Sequence, residues 1–241
     1  MTIDNLLEAE SAVFDLASLS DVMLFGEDHS ASNERQFVSS LLPQLKSKGY
    51  SILALEITEG TQEDMNRYLK DEISFDEMIL RHPSERFAMH PDYREIMESA
   101  KRLAFYIVCM DANDRNGSRN KYMADKIHSG IQQKHSKCVA LVGNGHILHR
   151  GNTGRVVASG ISGHLDDKGI SCSAISMERD EYDGPIYQAL GKKIDRITAV
   201  PKSMLDMHNH RFPFENETYS RLYDCVILFP KQELCSPALA F

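Results

Sequence analysis

Four apolar runs, each closed by a residue able to ligate a metal or move a proton, constrain this chain more than any other feature. Val22-Met23-Leu24-Phe25 leads into Gly26-Glu27-Asp28-His29, and Ile52-Leu53-Ala54-Leu55 leads into Glu56. Phe105-Tyr106-Ile107-Val108-Cys109-Met110 leads into Asp111, and Val139-Ala140-Leu141-Val142 into Gly143-Asn144-Gly145-His146. If the runs are parallel strands, all four polar groups sit at one edge of one sheet. Open α/β sheets hold their ligands at that edge, outside the carboxyl ends of the strands. The first and last runs also share a Gly-x-x-His pattern, 117 residues apart.

The segments between the runs support a parallel arrangement. After the first run, Ser32 is placed to cap a helix with Glu34 in its first turn. Phe37, Val38, Leu41, Leu42 and Leu45 follow at helical spacing, and Lys48-Gly49 closes the segment. Strand, helix, glycine stop and strand make a βαβ unit. Further helical patterns over 61–69, 75–80 and from Pro91 onward make residues 57–104 a helical insertion that caps the sheet edge. Residues 113–120 read as a polar loop, and 121–133 as a helix with Met123, Ile127 and Ile131 inward. Strands are expected over 171–177 and 223–229, with a weakly patterned stretch over 179–219 that reads as mixed, mostly loop. The fold class is therefore α/β: a mostly parallel central sheet with flanking helices, one domain over 1–241 with a divergent tail over 179–241.

Composition narrows the function. A net charge of −8 argues against a nucleic-acid or anionic-membrane binder, both of which need concentrated Lys and Arg. No run approaches the roughly 20 apolar residues of a membrane span. The start of the chain lacks the basic and apolar regions of a secretory signal. Five cysteines (Cys109, Cys138, Cys172, Cys225, Cys235) form no C-x-x-C pair, so a reducing, cytoplasmic setting is expected.

The strand-end residues carry the candidate chemistry. Glu27 and Glu56 end apolar strands, where a carboxylate must be paired, protonated or coordinating. Pairing with Arg35, Arg119 or a helix N-terminus for structure alone is the competing reading. Asp111 precedes the turn cluster Asn113-Asp114, so turn chemistry explains it as well as catalysis does. Arg119 is placed to offset the carboxylates or grip an oxyanion. His149 follows His146 closely enough to line the same rim, while His208-x-His210 has no strand leading into it. There is no H-E-x-x-H, G-x-S-x-G, Walker loop or G-x-G-x-x-G.

Two mechanisms suit this set. His29, Glu56 and His146 would hold a divalent ion (Mn, Co or Zn) whose bound water gives its proton to Glu27. Alternatively one His activates water directly and Arg119 stabilises the oxyanion, with no metal.

Leu24-Phe25-Gly26-Glu27-Asp28-His29 with Ala54-Leu55-Glu56 resembles the superfamily that joins ChaN-like haem-uptake proteins, Tiki and TraB proteins, and erythromycin esterases. Arg119-Asn120-Lys121-Tyr122-Met123-Ala124 is similar to that group's Arg-x-x-x-Met-Ala helix start, and Val142-Gly143-Asn144-Gly145-His146 to its second Gly-x-x-His. His90-Pro91-Asp92-Tyr93 and the stretch 151–165 look closest to the ChaN-like branch. The resemblance implies an α/β fold and catalytic or binding roles for Glu27, His29, Glu56, Arg119 and His146. It also implies divergent functions: metal-dependent peptidase, lactone-cleaving esterase or haem binder. The expectation is a hydrolase acting on an ester, lactone or peptide-like bond of a small-molecule or peptide substrate. The alternatives are haem or small-ligand binding without turnover, and an effector or toxin module acting on a partner protein.

Overall fold

The computed structural model describes residues 7–29, 32–90, 92–112, 118–149, 151–152, 157–179, 196–205 and 223–230. Its elements run β1 (Leu7–Glu8), α1 (Ala9–Leu19), β2 (Val22–Glu27), α2 (Ser32–Ser47), β3 (Tyr50–Thr58), α3 (Gln62–Leu69), α4 (Phe75–Arg81), α5 (Arg86–Met89), α6 (Tyr93–Arg102), β4 (Tyr106–Asp111), α7 (Arg119–Lys134), β5 (Lys137–Gly143), β6 (Gly151–Asn152), β7 (Val157–Ala158), α8 (Ile161–Asp166), β8 (Cys172–Arg179), β9 (Thr198–Pro201) and β10 (Cys225–Phe229), with a short helix at Lys202–Leu205. The first eight-stranded sheet has the order β1-β9-β10-β8-β2-β5-β3-β4, and β6 and β7 form a small antiparallel pair. From β10 to β4 every pairing is parallel, while β9 and β1 add antiparallel strands at one side.

Side-chain alternation along each strand divides the core into two layers. Met23, Phe25, Leu53, Leu55, Ile107 and Leu141 face the layer built by α1 to α6. Val22, Leu24, Ile52, Ala54, Val108 and Ala140 face the layer built by α7 and α8. Both sheet faces are thus covered, which is why the central strands read as unbroken apolar runs. The helices change sides between β4 and β5: α2 and α3 to α6 cover one face, and α7 returns across the other to place β5 between β2 and β3. Such a switch point opens a crevice at the carboxyl ends of the strands.

Local signals explain several boundaries. Gly49 sits at φ +91, ending α2 in a left-handed turn that Gly enters without a Cβ penalty. Ser74 and Glu77 form a complete capping box at the start of α4. At the free edge of β4, the Gln62 amide donates to Ile107 O at 2.9 Å and accepts from Cys109 N at 2.8 Å.

One boundary needs correction, and two segments gain elements. The loop over 113–120 ends earlier, because Ser118 accepts from Lys121 N and starts α7 at Arg119. The stretch 179–219 contains β9 and the short helix at Lys202–Leu205; β9 completes its hydrogen bonds on β10 and β1, partners distant in sequence. Residues 7–19 add β1 and α1. His208, His210 and Cys235 lie outside the described residues.

Candidate active site

Four adjacent strands deliver the site. In sheet order, β2 ends in Glu27, β5 in Gly143, β3 carries Glu56 near its end, and β4 ends in Asp111. Alternation puts Glu27 on the α1–α6 side with Met23 and Phe25, and Glu56 on the α7 side with Ala54. A register shift between Leu55 and Thr58 bends β3 at that point. Bulges of this kind re-aim side chains beside functional sites. The cleft therefore straddles the sheet edge, with one carboxylate rooted on each side.

Glu27 is 2% exposed. It accepts from Arg35 Nη1 at 2.8 Å, from the Tyr93 hydroxyl at 2.9 Å and from His29 Nδ1 at 3.0 Å. Arg35 is buried as well, ion-paired with Asp92 and stacked 5.1 Å from the Tyr93 ring centroid. Burial works against its charge, but Glu27 and Asp92 outweigh burial and raise its pKa. The carboxylate is thereby fixed as a hydrogen-bonded anchor with three side-chain partners. With Nδ1–H directed at Glu27, the hydrogen-bond network assigns the lone pair of His29 to Nε2. That nitrogen lies 3.8 Å from Glu56 Oε2, on a side chain that is 34% exposed.

The second half centres on Arg119. Its Nε and Nη2 bind Asp111 at 2.7 and 2.6 Å, and Nη2 also donates to Glu56 Oε1 at 2.6 Å. Hydrogen bonding to Asp111, opposed by burial, raises the Arg119 pKa. Burial would raise Asp111, but the Arg119 hydrogen bonds and charge hold its pKa below the ordinary value. Glu56 Oε2 accepts from Gly143 N at 2.8 Å.

His146 Nδ1 meets Asn120 Oδ1 at 2.6 Å, and its Nε2 meets Arg119 Nη1 at 3.2 Å. Because Asn120 Nδ2 donates to Ser159 O at 3.0 Å, its oxygen faces His146, and the imidazole carries its proton on Nδ1. Burial first, and then the Arg119 charge, lower the His146 pKa against the pull of Glu56. Of the five guanidinium N–H groups of Arg119, one on Nη1 is uncommitted among the described residues.

The repeated Gly-x-x-His has a steric explanation rather than a conformational one. Gly143 has φ −56, which any residue can adopt. What matters is space: a Cβ on Gly143 would lie 2.7 Å from His29 Nε2, and one on Gly26 would lie 2.2 Å from Asn144 Oδ1. Each glycine makes room for a side chain of the other motif. Asn144 then ties down through Met177 O at 2.8 Å and Ser176 at 3.0 Å.

Glu27, His29, Glu56, Asp111, Arg119 and His146 are thus brought together. His149 is not on the rim; it turns under α8 and pairs with Asp224 at 2.7 Å. Sequence reasoning missed Asn120, Asp92 and Tyr93 as members of the site, and gave Arg35 only as a possible partner. The position of Asn120 beside Arg119 in the first turn of α7 was the available signal for it. Tyr93 and Asp92 arrive from α6, 66 and 57 residues from their partners, where no sequence pattern points to the contact.

His29, Glu56 and His146 fit a divalent ion poorly. Arg119 sets a fixed positive charge 2.6 Å from Glu56 and 3.2 Å from His146 Nε2, and Gly143 N occupies the second Glu56 oxygen. Among the described residues no group of three or more His, Cys, Asp and Glu is arranged to hold a metal. Toward haem the site offers one candidate axial ligand among the described residues. His29 alone of the site offers an exposed ring nitrogen, the Tyr93 hydroxyl is buried on Glu27, and the exposed large apolar side chains (Leu19, Leu80, Ile197) lie on separate segments. Among the described residues no helix is long and apolar enough to cross a membrane.

Comparison with known proteins gives the same neighbourhood. The structure is similar to ChaN of Campylobacter jejuni with cofacial haem (TM-score 0.59, 13% identity, 96% of this chain and 99% of that one). It is also similar to a succinoglycan biosynthesis protein (TM-score 0.62, 10% identity, 94% of each chain). A third similarity is to RRSP, a MARTX toxin effector domain from Vibrio vulnificus (TM-score 0.51, 20% identity, 71% of this chain). The chain spans only 25–37% of the toxin chains it matches. No curated protein matches it in sequence. Residues 13–118, a little under half of the chain, match the family described as haem-binding uptake, Tiki superfamily, ChaN, in agreement with the resemblance carried by the two Gly-x-x-His segments.

Proposed function

We propose that the protein is a metal-independent hydrolase in which Glu27 and His29 form the general-base pair. The observation that carries this reading is the division of labour on the His29 ring. Nδ1 is fixed on a buried, ion-paired carboxylate, and Nε2 faces the cleft. A water beside Nε2 would give its proton to His29 as its oxygen attacks an acyl carbon. Glu27 stabilises the imidazolium that forms. The uncommitted N–H of Arg119, in the half of the site that holds Glu56 and His146, would serve the developing oxyanion. His29 then returns the proton to the leaving oxygen or nitrogen, giving an acid and an alcohol or amine.

His146 is unsuited to the base role, because Arg119 donates to its Nε2 and burial disfavours its charged form. It serves instead to orient Arg119. Ester, lactone and peptide-like bonds all meet these requirements, in a small molecule or a peptide. The four described cysteines are free, in keeping with action in a reducing compartment.

The test is hydrolysis of a panel of activated esters, lactones and peptides after exhaustive dialysis against a chelator. Activity should survive chelation and fall by about 10²–10⁴-fold in His29→Ala. Retention of full activity in both His29→Ala and Glu27→Gln would overturn the assignment, as would loss on chelation with recovery on adding Mn, Co or Zn.

The family match favours one second reading, haem binding without turnover. Haemin titration separates the two. A Soret band formed at stoichiometric haemin and lost in His29→Ala, without hydrolysis of any substrate, would replace the hydrolase reading.

A further inference from the structure

His146 faces the cleft through Nε2, but its other side leads into a second polar cluster that the proposed reaction does not use. Residues 159–162 contact the 146–149 segment at two points and reach it at a third through Asn120. Ser159 O holds the Asn120 amide whose oxygen binds His146 Nδ1. Gly160 packs so closely that a Cβ there would lie 2.3 Å from Leu148 O, 2.5 Å from Leu148 N and 2.7 Å from His146 O. Ser162 Oγ lies 2.5 Å from His149 Nδ1, and His149 Nε2 lies 2.7 Å from Asp224 Oδ2. Asp224 is held in turn by Ala174 N at 3.0 Å and Lys202 Nζ at 2.8 Å. Asp166 stands 3.7 Å from His149 Nδ1 on the α8 side.

We propose that residues 159–162, with the His149–Asp224 pair, are a positioning unit that fixes the tautomer and direction of His146. Ser162, His149 and Asp224 have the composition of a hydrolytic triad, but Ser162 is 0% exposed, and a nucleophile without exposed surface meets no substrate. Asp224 also contacts Nε2 and Ser162 contacts Nδ1, which spends both ring nitrogens on internal partners. What the cluster delivers is geometry. It pins the strap behind His146 to the sheet through Asp224, while the same four residues set the Asn120 oxygen that holds the His146 proton. Outer-layer contacts of this kind orient an imidazole and select its tautomer.

The inference rests on the hydrolytic reading only in giving His146 a task, so its test reads the ring directly. Long-range 1H–15N correlation on 15N-histidine-labelled protein should show His146 in wild type as one Nδ1–H tautomer. In Gly160→Ala and Ser162→Ala, the His146 signals should move toward a tautomer mixture while the His29 signals stay in place. On a substrate that wild type hydrolyses, kcat should fall by roughly tenfold with KM little changed, the response to a small misplacement. Should Gly160→Ala fail to fold, Ser162→Ala decides, because it removes a single oxygen. Unchanged His146 signals in a folded Ser162→Ala overturn the proposal, and so does labelling of Ser162 by a fluorophosphonate probe. Movement of His146 without hydrolysis of any substrate upholds the positioning unit and counts against the hydrolase instead.

Discussion

Gly143→Ala separates the chemistry of the site from its stability. At φ −56 and ψ 141 the backbone accepts alanine without strain, and the loss of unfolded-chain freedom favours the variant by about 0.4–1 kcal/mol. The new methyl has one serious conflict. It would stand 2.7 Å from His29 Nε2 and 3.1 Å from Cε1, whereas ordinary contact begins at 3.4 Å. The ring must therefore retreat by about 0.7 Å, straining its 3.0 Å hydrogen bond to Glu27. A misplacement near 1 Å costs about 10²-fold in rate, so kcat/KM should fall by roughly 30- to 100-fold, or about 2–3 kcal/mol of barrier. Thermal unfolding should move by no more than about 2 °C. The assay pairs ester hydrolysis with differential scanning calorimetry on the same preparation. A variant that folds normally and keeps kcat/KM within about twofold of wild type would refute the assignment of His29 as the base. Gly26→Ala is the contrasting case, because its methyl would meet Asn144 Oδ1 at 2.2 Å and the Asn144 backbone at 3.0 Å, and stability should suffer with activity.

Arg35→Met leaves Glu27 buried without its cation, and breaking a buried pair in this way should cost about 3–5 kcal/mol, lowering Tm by roughly 6–20 °C. An unchanged Tm would show that Tyr93 and His29 alone satisfy the carboxylate. Asp224 gives a pH signature: burial raises its pKa, but hydrogen bonds from His149, Lys202 and Ala174 outweigh burial and hold it at about 2 against an ordinary 3.8. A depressed folded pKa contributes stability that is complete above about pH 4 and lost as pH falls toward about 2, a difference of about 2 kcal/mol. Acid titration of unfolding free energy should show that slope in wild type and lose it in Asp224→Asn. Ser74→Ala removes the capping box of α4 and should lower stability by about 1 kcal/mol with no change in catalysis, measured by urea unfolding and the ester assay.

The parallel core was legible because a strand buried on both faces leaves an unbroken apolar run, and Val22–Glu27 and Lys137–Gly143 carry that mark. Their polar ends were legible for the same reason, since a charge at the end of such a run has little reason to be there except pairing or chemistry. β9 was not legible. Four residues ending in Pro201 carry little pattern of their own, and the strand is completed by β10 and β1. The anchoring of Glu27 was half legible: Arg35 lies one turn into the helix after it, whereas Tyr93 joins it only when α6 packs on α2. His149 was misjudged because distance in sequence was taken for distance in space. The turn at Asn144–His146 and the strap behind it carry the chain off the rim and down the α8 face within three residues.

The Gln62 amide on β4 has a consequence for how the molecule behaves among copies of itself. An outermost parallel strand normally offers its vacant N–H and C=O groups to any extended chain that drifts by. Here one side chain, reaching from the first turn of α3, engages Ile107 O and Cys109 N in the pattern a ninth strand would use. Among the described residues the opposite border ends in β1, a strand of two residues, too short to template much. The sheet thus carries its own stop at both ends, and the chemistry at its carboxyl edge is carried by a slab with little tendency to grow.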